Sequence, residues 1–288
     1  MISIIGLGKG GSAIAEKFKP ISQYNVYLMN DKIERNSKYK FKLKSYEDPE
    51  EYEKNVPDVK KFFKDLDERV QIFVIGSAQS TNYVLGILQQ IKDKKIDVFY
   101  IQPDIELLTG VPRLLERTAF GVLQQYARSG LFESATLISN LNIEKTLGDV
   151  PIKTYFDTLN SSIFSTAHYI NYFNHTEPEI GNVSRPAPIN RIRAAARLNM
   201  KTLEENWFFD LDTPRELCYY LCINDKKLAT EGGLHKKIVD MLKDKPKNAF
   251  RKISYAIYET EHEEDFGFCV AHTNVVQEKK TLDMLDQE

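Results

Sequence analysis

The chain has 288 residues, 42% of them hydrophobic and 28% charged, with a formal net charge of -2, the composition of a globular protein with room for one large or two modest cores. A balance this close to neutral, with a pI near 6.3, gives no long-range attraction for nucleic acid, and no run of about 18 or more apolar residues is present to insert in a membrane. Cys218, Cys222 and Cys269 are an odd number of thiols in apolar, strand-like surroundings ("LCYYLCI", "FGFCVAH"), which points to free buried cysteines and a cytoplasmic protein. Cys269 and His272 have the spacing of a metal pair, but their apolar context favours the buried-thiol reading.

The first apolar run, "ISIIG", leads into "GLGKGG" and the helix-compatible "GSAIAEKF". Gly6, Gly8 and Gly11 therefore satisfy G-x-G-x-x-G at a strand-to-helix junction, where backbone N–H groups attract anions. A second strand follows at "YNVYLMN". In "KYKFKLK" lysine alternates with tyrosine, phenylalanine and leucine, the period of a strand with one wet face. "YEDPEEYEKNVPDVKKFFKDL" reads as loop then helix, and "VQIFVIG" as a buried strand. "SAQSTNYVLGILQQIKDK" reads as a helix capped by Ser80 or Thr81, with Val84, Ile87, Leu88 and Ile91 on its apolar face. Strand "DVFYIQP", a helix through "RLLERTAFGVLQQYA" and strand "SATLISN" continue the alternation. It predicts an α/β fold with a doubly wound parallel sheet, a Rossmann-like nucleotide-binding domain over 1–150.

After Pro151, Phe156, Leu159, Ile163, Ala167 and Ile170 recur at helical spacing, which predicts a long buried central helix over 151–175. "TEPEIGNVSRPAPIN", with its three prolines, is the boundary loop. Strand "RELCYYLCIN", helix "HKKIVDMLKDK" and strands "RKISYAIYET" and "DFGFCVAHTN" then make a second, smaller α+β domain over 176–288, ending in a frayed or partner-binding tail, "VVQEKKTLDMLDQE".

This order of elements resembles the tubulin/FtsZ superfamily over nearly the whole chain. The resemblance implies that Gly6, Gly8, Lys9, Gly10, Gly11 and Ser12 form a loop around the phosphates of GTP or GDP, with Mg accompanying the nucleotide. "GSAQSTN" stands where the family has G-G-G-T-G-[ST]-G. Only Gly76 matches clearly, and Ser77, Ala78, Gln79, Ser80, Thr81 and Asn82 fill the rest. Side chains there hinder close backbone approach to phosphate, leaving the hydroxyls of Ser77, Ser80 and Thr81 as donors. "EDPEEYEK" resembles the family's N-P-E loop through Pro49 and Glu50, while Asp48 and Glu51 add negative charge that only a metal or Lys44 would offset. "LLTGVPR" resembles the ribose-side F-E-G-x-x-R through Gly110 and Arg113, and the strand pattern that follows it ends in Asn140. "YFDTLNSSIF" matches the aromatic-then-asparagine pattern, with Phe156 to stack on guanine and Asn160 to bond its edge.

The family's acidic N-x-D-x-x-D loop is not matched. Alignment through Asn182 and Val183 puts Ser184 and Ala187 at the acid positions, where neither can act as a base; the nearest carboxylates are Glu177 and Glu179. The resemblance thus implies self-association into filaments or oligomers, or partner binding, with little or no GTP hydrolysis. Two other functions remain open. An NAD(P)-dependent oxidoreductase would use Gly6, Gly8 and Gly11, with Asp31 on the ribose, but no hydride-transfer set follows downstream. An adaptor on the same scaffold would hold no nucleotide. His168 reads as a satisfied core histidine, and His235 and His262 as solvated.

Overall fold

The computed structural model describes residues 1–245 and 251–278. Strand β1 (Ile2–Leu7) is buried at every position, as a strand covered on both faces must be, and it runs directly into helix α1 (Gly8–Glu16). Then come β2 (Tyr24–Asn30), β3 (Lys40–Lys42), α2 (Pro49–Lys54), β4 (Arg69–Ile75), a 3-10 turn over Gln79–Tyr83 and α3 (Val84–Gln89). They are followed by β5 (Lys95–Gln102), α4 (Gly110–Arg128), β6 (Ser134–Ser139), α5 (Asn140–Leu147) and α6 (Tyr155–Phe173). The rest comprises β7 (Ile180–Asn182), β8 (Ile192–Leu198), β9 (Glu205–Trp207), β10 (Glu216–Asn224), α7 (Asp225–Thr230), α8 (Leu234–Lys243), β11 (Lys252–Thr260) and β12 (Phe266–Thr273).

Among the described residues, twelve strands share one sheet in the order β3-β2-β1-β4-β5-β6-β8-β12-β10-β11-β7, with β9 on β8. From β3 to β6 every pairing is parallel. The remaining strands form a mixed block joined to the first where Ala135–Leu137 of β6 pair in parallel with Ile192–Ala194 of β8. Strand order reverses between β1 and β4, the crevice where open α/β sheets take ligands, and both glycine loops lie there. On one face α1 and α6 pack through Ile14, Phe18, Leu159, Ile163, Ala167 and Ile170. The other face is covered through Val84, Ile87, Phe120 and Leu123 of α3 and α4, and a third cluster lies under α8.

The strand pattern of "KYKFKLK" is realised only over Lys40–Lys42, because this edge segment pairs with β2 alone and only from Leu28 to Asn30. Neither Ser80 nor Thr81 caps α3: both lie inside the 3-10 turn, whose cap is Ala78, and the Thr81 hydroxyl donates back to the Ile75 carbonyl at 2.6 Å. The boundary loop contains β7, which pairs with β11. Strands β8 and β9 escape the periodicity argument because "IRAAARL" is alanine-rich and "ENW" is too short to show a pattern. Helix α6 is buried along one face instead of all round, leaving Phe156 70% exposed. The three cysteines are free and buried, and His168 Nδ1 lies 3.0 Å from the Tyr24 hydroxyl, both as the sequence suggests. The tail beyond residue 278 lies outside the described residues. No helix among the described residues is long and apolar enough to cross a membrane.

Candidate nucleotide site

The first loop is built by close approach. A Cβ on Gly6 would lie 2.6 Å from the Gly11 oxygen and the Ser12 Cα, and one on Gly11 would lie 2.4 Å from the Phe73 oxygen, so these glycines let α1 sit directly on β1 and β4. Gly8 takes a positive φ of 75°, which only glycine adopts at little cost, and Gly10 lies against Ile75. The Ser80 hydroxyl occupies the space over Gly8, 2.1 Å from where a Cβ would stand. Ser12 is turned inward: its hydroxyl donates to the Gly6 oxygen at 3.2 Å and accepts from Asn30 Nδ2 at 2.8 Å. Lys9 is exposed. Helix α1 carries no side-chain cap and no acid in its first turn, so its amides and dipole are oriented toward an anion.

The second loop is arranged differently. The Gly76 amide donates to the Ile101 oxygen (2.9 Å), the Ala78 amide to Ile75 (3.1 Å) and the Thr81 amide to Ala78 (2.9 Å), so three donors are committed to the protein. Beneath it lies Glu116, fully buried, whose Oε1 accepts from the Tyr100 hydroxyl at 2.9 Å. A Cβ at Gly76 would meet that hydroxyl at 2.2 Å and Glu116 Cγ at 3.1 Å. Burial pushes the Tyr100 hydroxyl far above its ordinary pKa, which keeps it a donor. Ser77 and Ser80 stay partly exposed, whereas Thr81 is buried.

Three further helices begin at this end of the sheet. Gly110, with φ of 60°, opens α4, and Arg113 is exposed on its first turn. Asn140 is the first residue of α5, behind the capping Ser139. On α6 the exposed Phe156 ring stands edge-on to Tyr155, centroids 5.2 Å apart, and Asn160 lies partly buried one turn further. Tyr155 donates to Glu144 at 2.8 Å, and burial, then Glu144 and Asp104, push its hydroxyl up to about 12. Lys17 ties α1 to α6 through Asp157 at 2.7 Å. The structure thus joins Gly6, Gly8, Gly10, Gly11, Ser12 and Gly76 to Ser80 and Thr81 in one cluster, and places Arg113, Asn140, Phe156 and Asn160 on separate helices around it.

At the opposite end of the strands, the loop aligned with the family's acids is held by a carboxylate the sequence reading passed over. Glu216, the first residue of β10, accepts the Ala187 amide at 2.6 Å and Asn190 Nδ2 at 2.7 Å on one oxygen. An acid opening an otherwise apolar strand was the available signal. The loop borders a cavity of about 620 Å³ with Arg215 and Lys252 on its wall. His272, opposite Glu216 in the ladder, is pushed down to about 3 by burial and then by Arg193. Asp31 is paired with Lys32 at 3.1 Å.

The first loop therefore suits a phosphate, whereas the second, with its amides committed and a buried carboxylate below, suits it poorly. Among the described residues no group of His, Cys, Asp or Glu is set to hold a metal ion, so Mg would depend on the phosphates for its ligands.

No protein-family model matches the sequence, and no curated protein matches it. Solved structures do. An empty FtsZ dimer from M. jannaschii aligns with a TM-score of 0.68 at 12% identity, over 94% of this chain and 88% of that one. A protofilament of Bacillus thuringiensis serovar israelensis TubZ in its GTPγS form aligns at 0.66 and 11% identity, over 94% and 86%. A two-stranded TubZ-Bt filament model aligns at 0.64 and 13% identity, over 94% and 84%. The chain has the tubulin/FtsZ-like fold.

Proposed function

We propose that this chain associates with itself end to end, holds GTP or GDP weakly at the first glycine loop, and hydrolyses it little or not at all. Residues 1–150 would carry the nucleotide, and the contact surfaces would be the two ends of the strands. The observation that carries this reading is where the large apolar side chains are exposed. Leu107, Val111, Leu114, Leu141, Ile152 and Phe156 are exposed in segments at the C-terminal ends of the parallel strands; Met1, Tyr126, Leu131, Tyr172 and Ile189 are exposed in segments at the N-terminal ends. Exposed apolar side chains at two unlike ends that meet head to tail generate an open chain instead of a closed dimer; Tyr39 and Ile180 are also exposed, at the lateral edges of the sheet. Solved relatives of the same fold include a dimer and filaments, which supports the reading.

Weak nucleotide binding is supported by the uncapped α1 N-terminus and limited by the second loop. Low hydrolysis is supported by Ser184 and Ala187 at the acid positions and by Glu216 being engaged with the loop backbone. A protein that binds no nucleotide and serves as an adaptor is the second reading, favoured by the buried Glu116 under the second loop. Thermal unfolding with GTP, GDP and NADH distinguishes them. A ligand that binds only the folded state stabilises by about 2.7 kcal/mol at a hundred times its Kd, so GTP and GDP should raise Tm while NADH does not. Asn160→Ala should abolish that rise without lowering the ligand-free Tm. No rise with either guanine nucleotide favours the adaptor, and a rise with NADH alone overturns the proposal.

A further inference from the structure

The near-neutral total charge averages away a basic edge. Strand β3 ends the sheet on one side. Phe41 and Leu43 turn toward the α3-side core, so strand alternation sends Lys40 and Lys42 the other way; both are exposed, as is Lys38 before them. The segment after α2 lies over the same edge. Its Val59 and Phe63 are buried and Phe62 packs on Phe41, ring centroids 5.3 Å apart, which leaves Lys60, Lys61 and Lys64 exposed on the outer side. The carboxylates interleaved with these lysines do not neutralise them: Asp65 lies 3.7 Å from Lys38, and Asp58 accepts the Lys60 amide at 3.1 Å. Lys40, Lys42, Lys60, Lys61 and Lys64 form no ion pair among the described residues, whereas Lys17, Lys54 and Lys95 elsewhere on the surface do. Like charges gathered without counter-charges repel one another, and a polyanion relieves that repulsion.

The rest of the edge narrows the partner. An acidic peptide added as a further strand would need the outward backbone of β3, but the Ser37 amide already donates to the Lys40 oxygen at 2.8 Å and the Lys42 amide to Asn36 Oδ1 at 2.7 Å. A bilayer surface would need apolar side chains to insert; among the described residues Tyr39, 39% exposed, is the one large hydrophobic side chain exposed here, and it is held against Tyr27, ring centroids 5.4 Å apart. Phosphates need neither. Lysine heads are point charges suited to them, and Lys40 and Lys42 recur at about 6.6 Å along the strand, about twice the 3.4 Å per-strand repeat of a duplex backbone. The Tyr39 ring, with Lys38 Nζ 5.1 Å from its centroid, adds a surface on which an unpaired base stacks. We propose that the β3 edge binds the sugar-phosphate backbone of a nucleic acid, with Lys40 and Lys42 on one side of the strand and Lys60, Lys61 and Lys64 on the other. Contacts of this kind carry no base code, so the binding is independent of sequence. This inference stands apart from end-to-end association and from the guanine nucleotide.

Fluorescence anisotropy of the full chain tests it, with labelled oligonucleotides of about 20 nucleotides of arbitrary sequence, duplex in one arm and single strand in the other. Saturable binding is expected in at least one arm. Tighter binding of the single strand identifies stacking on Tyr39, and equal binding identifies the phosphates alone. With about four phosphates engaged, affinity should fall about a hundredfold between about 50 and 200 mM salt. Lys40→Gln with Lys42→Gln, and Lys60→Gln with Lys61→Gln, should each weaken binding about tenfold and flatten the salt slope by about two. Lys236→Gln with Lys237→Gln makes the same charge change on the exposed face of α8 and should leave both unchanged. All six side chains are exposed, so the fold is retained in every variant. No binding in either arm, or equal weakening by the α8 pair, overturns the proposal. So does sedimentation with phosphatidylserine–phosphatidylcholine vesicles without oligonucleotide binding, which would make the edge a membrane-facing surface.

Discussion

Gly11 and Gly121 are both helical glycines, and their surroundings assign them opposite values. A methyl group on Gly11 would collide with the backbone oxygen of Phe73 at 2.4 Å, whereas at Gly121 in α4 nothing lies within 4 Å. Backbone does not yield as a flexible side chain does, so Gly11→Ala must lift α1 off β4. It should lower stability by about 1–3 kcal/mol, the usual cost of overpacking. Gly121→Ala should raise it by about 0.5–1 kcal/mol, because alanine loses less backbone freedom on entering a helix. Denaturant midpoints at constant m-value measure both; a neutral Gly11→Ala would mean that α1 is not seated on the strand. Here the sequence was legible in one respect only. G-x-G-x-x-G located a strand-to-helix turn, but its glycines admit strand backbone, Ser80 and Ile75, and the spacing could not distinguish protein atoms from phosphate oxygens as the reason for them.

At the scale of elements, periodicity located α6 and the parallel strands because burial on one or two faces leaves a pattern that local reading can find. It could not show which side of α6 is covered, since Phe156 and Tyr172 look as apolar as Ile163 and Ile170. Nor could it find pairings between distant residues. Gln71 on β4 and Asn171 on α6 exchange two hydrogen bonds of 2.8 Å, both residues buried and a hundred positions apart. Glu216 and its loop, and Glu116 with Tyr100, are likewise partnerships made by folding. A buried amide pair fixes the rotation of α6 on the sheet, and removing half of it leaves the other half stranded. Asn171→Leu should therefore cost about 1–3 kcal/mol, the penalty for a buried polar group without a partner. Adding Gln71→Leu should restore part of the loss, because two apolar groups in place of two amides leave nothing unsatisfied. A double-mutant cycle read by thermal or chemical unfolding gives the coupling; strict additivity would show that the two amides act independently.

For the whole molecule, the continuous sheet makes the two ends of its strands the chemically distinct surfaces. The end bearing the glycine loops carries the exposed Leu107 and Leu114 and the acidic turn at Asp48, Glu50, Glu51 and Glu53. The other carries the exposed Ile189 with Arg185, Arg215 and Lys252 around the Glu216 loop. Opposite charge on unlike apolar patches steers copies head to tail and opposes like-end contact. Leu107→Asp with Leu114→Asp should disable one end, and Arg185→Glu with Lys252→Glu the other, none of these side chains being buried. In sedimentation velocity each double variant alone should stay monomeric at concentrations where the unaltered chain forms a ladder of larger species. Mixed in equal amounts, the two variants should give a species of two subunits and nothing larger, since one intact end of each kind is then present and both exposed ends of the pair are disabled. Added salt should weaken the pair, because charges separated by more than about 8–10 Å are screened. If either variant alone still builds the ladder, its end is not the contact surface and association runs through the sides of the sheet. If both variants stay monomeric and the mixture does too, the altered ends do not meet each other, and the polarity argued from their charge is wrong.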